Sequence, residues 1–215
     1  MVDFNYRGDV ASEGESAAVT LGEYDPLGDL FVAQSQMPPQ LGKINLRAIS
    51  PFLRALLTID GTVTKFIEAF TMEPIDVKRI SQDQRQLPTD HAWLEAPAGT
   101  EVIAREVILR GKYSLKLYSY ATSLIVPSRL SEPIRKELEV EGGSLGRILL
   151  TSRIETFREV LWYGRERPNR LPDEISQYVD TEFISRTYRI FANRTPIMII
   201  NEKFPSIEDA ELAHE

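Results

Sequence analysis

The sequence predicts an α+β fold built on an antiparallel sheet, and three observations predict it. Period-two alternation of apolar and polar residues dominates the C-terminal half. Successive alternating segments are joined by short turns and not by crossover helices, which implies antiparallel pairing. Helical periodicity is confined to separate stretches, a pair of helices before the strands and one helix among them. With 215 residues, 42% hydrophobic and 27% charged, the chain has the composition of a globular domain and not of a disordered or fibrous one.

Residues 1–40 read as an N-terminal tail, partly ordered at best. Ala11-Ser12-Glu13-Gly14-Glu15-Ser16 is small and polar, and Met37-Pro38-Pro39-Gln40 closes the segment with two prolines that favour extended backbone. Within it, Leu30-Phe31-Val32 is apolar enough to pack on the body. The domain proper is expected over 41–207. Leu46, Ile49, Phe52, Leu53, Leu56 and Leu57 recur at helical spacing, with Pro51 at a first turn or a kink. Gly61 breaks that run, and Thr62 reads as the N-cap of a second helix through Phe70, so the two form a helical hairpin around Asp60-Gly61. Strands are expected over 101–110, 115–126, 154–163, 186–192 and 197–204. The last two are joined at Asn193-Arg194, where Asn tolerates positive φ. A helix over 130–140, opened by Ser128 or Ser131 and stopped by Gly142-Gly143, interrupts the series. Ser144-Leu145-Gly146-Arg147 opens a further short helix whose free N–H groups could receive an anion. Residues 208–215 form an acidic C-terminal tail.

Composition narrows the chemistry. Cysteine is absent, which excludes disulfides, thiolate catalysis and Cys-based metal sites. Only His91 and His214 are present, and His91 sits in a Pro-rich stretch where a lone histidine reads as solvated, so no metal site is expected. Twenty-five basic against 32 acidic side chains give a net charge of −7, with no basic block, so no nucleic-acid partner is expected. The N-terminus lacks a signal-peptide pattern and no apolar run approaches a membrane span, so no membrane association is expected and the location reads as cytoplasmic. Carboxylates, arginines and backbone amides remain.

Strand parity singles out two of them. In 102–109, Ile103, Arg105, Val107 and Leu109 share a face, which places an arginine on an apolar side. In the last strand, Met198, Ile200, Glu202 and Phe204 share a face, which does the same for a carboxylate. Arg189 shares a side with Thr187 and Phe191. Buried charges need partners. Three readings fit: an Arg105–Glu202 ion pair inside the sheet, a bulge that lets the charges reach water, or a cavity in which Arg105 grips an anionic ligand through its bidentate fork and Glu202 meets a hydroxyl or takes a proton.

An ordered set of segments then becomes informative: Gly61-Thr62-Val63-Thr64, Ala104-Arg105-Glu106-Val107-Ile108-Leu109, Ser119 to Pro127, Ser144 to Ser152, Ile154 to Glu159, Arg186-Thr187-Tyr188-Arg189, and Pro196 to Phe204. In this order and spacing, from about residue 45 to 205, the chain resembles the chorismate pyruvate-lyase family, most closely its actinobacterial, archaeal and cyanobacterial branch. The resemblance implies a single antiparallel sheet with helical flaps covering a ligand cavity. It implies conversion of chorismate to 4-hydroxybenzoate and pyruvate without cofactor or metal. Carried over, Arg105 matches the arginine that binds the aromatic carboxylate, the backbone of Leu145 or Gly146 matches the segment that donates N–H to it, and Glu202 matches the glutamate facing the ring hydroxyl. Where the enterobacterial branch has a further arginine, this chain has Ser123. The cation for the enolpyruvyl carboxylate is therefore expected at Arg189, with Arg186 or Arg147 as substitutes. The resemblance also carries a rival, a non-catalytic binding domain of the same fold as in effector domains of transcription regulators. Quinone biosynthesis, plastoquinone included, and phenolic glycolipids are the family's destinations for the product. The oligomeric state stays open.

Overall fold

The computed structural model describes residues 25–139, 145–151, 154–168 and 170–206. Six strands form one sheet: β1 (Ile75–Gln86), β2 (Glu101–Gly111), β3 (Leu117–Ile125), β4 (Thr156–Glu166), β5 (Phe183–Ala192) and β6 (Thr195–Pro205). Their spatial order is β1-β2-β3-β6-β5-β4, with every neighbouring pair antiparallel. Two three-stranded meanders thus meet at β3 and β6. Among the described residues four α-helices accompany them: α1 (Pro51–Thr58), α2 (Val63–Thr71), α3 (Glu132–Glu139) and α4 (Leu145–Thr151). This is the α+β arrangement that the turns and periodicities predict.

The differences from the sequence reading have local causes. β1 was not expected, because Asp76, Lys78, Arg79, Gln82, Asp83 and Arg85 hide its alternation. It is an edge strand whose register shifts between Arg79 and Ser81, and an edge tolerates polar residues on both faces. α1 begins at Pro51 and not at Leu46. Proline has no N–H to lose at the first helical position, and the Ser50 hydroxyl accepts from Leu53 N at 3.2 Å. Val140 and residues 141–144, including Gly142, Gly143 and Ser144, lie outside the described residues. Asn193 and Arg194 both have positive φ, 50° and 62°, as a two-residue hairpin turn requires.

Of Leu30, Phe31 and Val32, Phe31 is the one buried, packed with Leu27 among the side chains of α1 and the sheet. Val32 N and Ala33 N donate to the carbonyls of Val160 and Leu161 at 3.0 Å, and Gly42 exchanges two bonds with Arg165. Residues 31–42 therefore cover part of the open edge of β4. The backbones come so close that a Cβ at Gly164 would stand 2.9 Å from Leu41 Cβ.

All four helices lie on one face. α1 and α2 bury Phe52, Leu56, Leu57 and Ile67 against Leu109, Ile184 and Phe204. α3 and α4 bury Ile134, Leu138, Ile148 and Leu149 against Ile103, Ile125, Ile190 and Met198. Two apolar clusters thus share a sheet face, with a gap between them.

Candidate active site

That gap is a cavity. Its floor is the middle of the sheet, with Val107 and Leu109 on one side and Tyr188, Ile190 and Ile200 on the other. Its roof is Gly61-Thr62-Val63-Thr64 at the start of α2 and Leu145-Gly146 at the start of α4. The two flaps approach closely: a Cβ at Gly146 would lie 3.1 Å from Thr62 Cγ2 and 3.3 Å from its Oγ1, so a larger residue there would press on Thr62. Thr62 stands at the N-cap of α2, yet its side chain makes no capping hydrogen bond.

Strand register carries polar groups across the floor. Arg105 on β2 pairs with Ser123 on β3, Ala121 with Glu202 on β6, Glu202 with Arg186 on β5, and Ile190 with Arg158 on β4. Directly opposed residues share a face. Arg105, Ser123, Glu202 and Arg158 therefore all reach the cavity wall. Arg105 is 2% exposed. Burial, with the charge of Arg79 second, brings its pKa down from the usual arginine range to about 10. It is still a cation at neutral pH, held so at a cost of about 3 kcal/mol, which an anion in the cavity would offset.

Glu202 does not pair with Arg105. Its Oε2 accepts from Arg186 Nε at 2.9 Å and its Oε1 from the Tyr188 hydroxyl at 3.2 Å. Arg186, 1% exposed, also donates through Nη1 to the carbonyls of Leu57 and Ile59 at 3.2 and 2.8 Å. One buried arginine thereby orients the carboxylate and holds the end of α1. Burial, followed by the Glu202 charge, raises the Tyr188 hydroxyl far above the usual tyrosine range, while Arg186 and Arg158 act in the opposite sense. Tyr188 is thus a lasting donor to Glu202.

Of the residues singled out in the sequence, Arg105, Glu202, Ser123, Leu145 and Gly146 converge here. Arg189 does not. It lies on the opposite face, where Nε donates to Glu159 at 2.5 Å and Nη1 to the Trp93 carbonyl and Glu95 at 3.0 and 3.2 Å, with Phe191 and Trp93 beneath the guanidinium. The Arg147 side chain lies outside the described residues. Sequence reasoning missed Arg158, although its segment was noticed, and missed Arg186 and Tyr188 as partners of Glu202. Among the described residues no group of three or more acidic or histidine side chains could hold a metal ion. None of the described helices is long and apolar enough to cross a membrane. His91 caps a turn, its Nδ1 accepting from Leu94 N at 3.2 Å, which makes it a structural residue and not a merely solvated one.

An antiparallel sheet with one face roofed by helical flaps over a largely apolar cavity that carries a few charged groups has the form of a small-molecule-binding α+β domain. Comparison with known proteins gives it a family. Residues 57–211 match the Rv2949c-like chorismate pyruvate-lyase family, and the chain belongs to it. A chorismate pyruvate-lyase of Mycobacterium leprae is 30% identical over 166 residues, covering 76% of this chain and 79% of that one. A chorismate pyruvate-lyase of Mycobacterium tuberculosis is 28% identical over 175 residues, covering 79% and 87%. Among solved structures, PhnF from Mycobacterium smegmatis superposes with a TM-score of 0.55 at 13% identity over 69% of this chain, which spans 65% of that one. The effector domain of PhnF gives 0.54 at 13% identity over 67% of this chain and 88% of that domain. At that identity the likeness is one of fold.

Proposed function

We propose that this chain is a cofactor-independent carbon–oxygen lyase that eliminates pyruvate from chorismate and leaves 4-hydroxybenzoate. The observation that carries the reading is the meeting of Arg105 and Glu202 in one roofed cavity, in a chain of this family. The buried guanidinium of Arg105 is assigned to the ring carboxylate, together with the backbone N–H groups of Leu145 and Gly146 in the roof of the same cavity. Ser123, beside Arg105 in the register, is a small polar neighbour of that subsite. Glu202, fixed from behind by Arg186 and Tyr188, is assigned to the C4 side of the ring.

The reaction asks little beyond placement. The C4 proton leaves, the C3–O bond breaks with its electrons going to the enolpyruvate oxygen, and the ring becomes aromatic. The enolpyruvate then takes a proton at its methylene carbon and becomes pyruvate. Glu202 is positioned to accept the C4 proton or to anchor the C4 hydroxyl while water accepts it. Exclusion of water by the flaps strengthens the electrostatic hold of the arginines.

The rival, ligand binding without turnover, draws on the fold shared with the PhnF effector domain. Incubating the purified protein with chorismate separates the two. Release of 4-hydroxybenzoate and pyruvate in equal amounts is expected, and binding of chorismate without either product would decide for the rival.

A further inference from the structure

Two arginines stand on the cavity wall among the described residues, Arg105 at the β2 end and Arg158 at the β4 end. Four strand spacings of about 4.8 Å, roughly 19 Å, separate their backbones. Both side chains nonetheless border one cavity, and Glu202 and Tyr188 lie between them. The charge of Arg158 reaches inward far enough to act on the Tyr188 hydroxyl.

The bonding of Arg158 is one-sided. Nη1 donates to the Gly61 carbonyl at 3.0 Å and lies 3.6 Å from Asp60, whose side chain is 81% exposed. Nε is buried and has no hydrogen-bond partner. A buried guanidinium N–H without a partner is costly. The Nε edge is also the edge with which arginine takes a carboxylate through two parallel bonds.

We propose that Arg158 is the binding residue for a second carboxylate, the one carried on the ligand's ether side chain, and that cavity ligands are therefore dicarboxylates held between Arg105 and Arg158. The assignment rests on the reading of the cavity as a chorismate site, since chorismate carries a ring carboxylate and an enolpyruvyl carboxylate. It replaces Arg189, which faces away. A carboxylate on the Nε edge leaves the Nη1 bond to Gly61 in place. The arginine that reads the side chain then also holds the α1–α2 turn closed over it, and the Leu57 to Gly61 segment is tied to the sheet by Arg158 and Arg186 together.

Two unreactive aromatic probes differing by one carboxylate test this: 3-(carboxymethoxy)-4-hydroxybenzoate and 3-methoxy-4-hydroxybenzoate. Their dissociation constants are measured calorimetrically for the wild-type chain, Arg158→Ala, Arg158→Lys and Arg105→Met, with chorismate turnover by the wild type recorded alongside. The wild type is expected to prefer the dicarboxylate at least tenfold. In Arg158→Ala the preference, read as the ratio of the two dissociation constants, should fall below twofold, and Arg158→Lys should keep part of it. Arg105→Met should weaken both probes. An Arg158→Ala protein that keeps the preference, or that weakens both probes alike, overturns the assignment. A wild type that shows the preference but releases no product leaves the subsite standing and removes the lyase reading; one that binds neither probe removes the subsite assignment, and the lyase reading with it where no product is released.

Discussion

Strand β5 carries two arginines three residues apart, and its two faces use them differently. Arg186 points into the helix-covered face, where it is 1% exposed and joined to Glu202 and two main-chain carbonyls. Arg189 points to the other face, where it joins Glu159, Glu95 and the Trp93 carbonyl at the rim. Both form close ion pairs, but only the first holds a carboxylate, Glu202, that lines the cavity. Charge on a strand therefore says little until the face is known. The face also decides the energetics, because a buried pair leaves an uncompensated charge when broken whereas a rim pair lets in water.

Substitution can break this comparison, and the effects should descend in order. Arg186→Met removes the partner of Glu202 and the ties to Leu57 and Ile59, and should lower stability by about 3–5 kcal/mol in denaturant unfolding. Arg105→Met should reduce product formation by about a hundredfold or more. Glu202→Gln should lower turnover by about a hundredfold if the carboxylate takes the C4 proton, with a smaller loss of stability than Arg186→Met, since the amide oxygen still accepts from Arg186 or Tyr188. Arg189→Met should cost about 1 kcal/mol or less and leave the KM for chorismate unchanged. A KM that rises tenfold there would merge the two faces that the structure separates.

The pH dependence sharpens the same contrast. The folded-state pKa of Arg105 is depressed to about 10 from the usual arginine range, so below pH 10 the residue is charged in both folded and unfolded chains and the full cost of burying that charge is present. As pH rises above about 10, that cost is lost while the anion grip goes with it. Probe affinity should thus fall above pH 10 in the wild type, and titration should show no such step in Arg105→Met.

Much of this was legible in the sequence. Alternation revealed five of the six strands, and parity alone flagged Arg105 and Glu202, because each interrupts an otherwise apolar face. β1 escaped notice because an edge strand need not alternate. The second cation escaped for a subtler reason. A regular two-residue hairpin at Asn193-Arg194 would oppose Arg189 to Met198 and put it on the face of Glu202. The register slips between Ile190 and Phe191, with Ile197 as the extra residue, so Ile190 opposes Met198 and Arg186 opposes Glu202. One bulge exchanges the two arginines. Arg158 was hidden differently, since its approach to the cavity depends on β4 pairing with β5, a contact between segments separated by residues 167–182.

The central claim is that one roofed cavity turns chorismate over. Its most direct test follows 4-hydroxybenzoate by absorbance and pyruvate by a coupled dehydrogenase when the purified chain meets chorismate without added metal or cofactor, beside Arg105→Met and Arg189→Met. Equal release of both products by the wild type and by Arg189→Met, with Arg105→Met reduced about a hundredfold, is the predicted result. Absence of both products from a wild type that binds chorismate would contradict it.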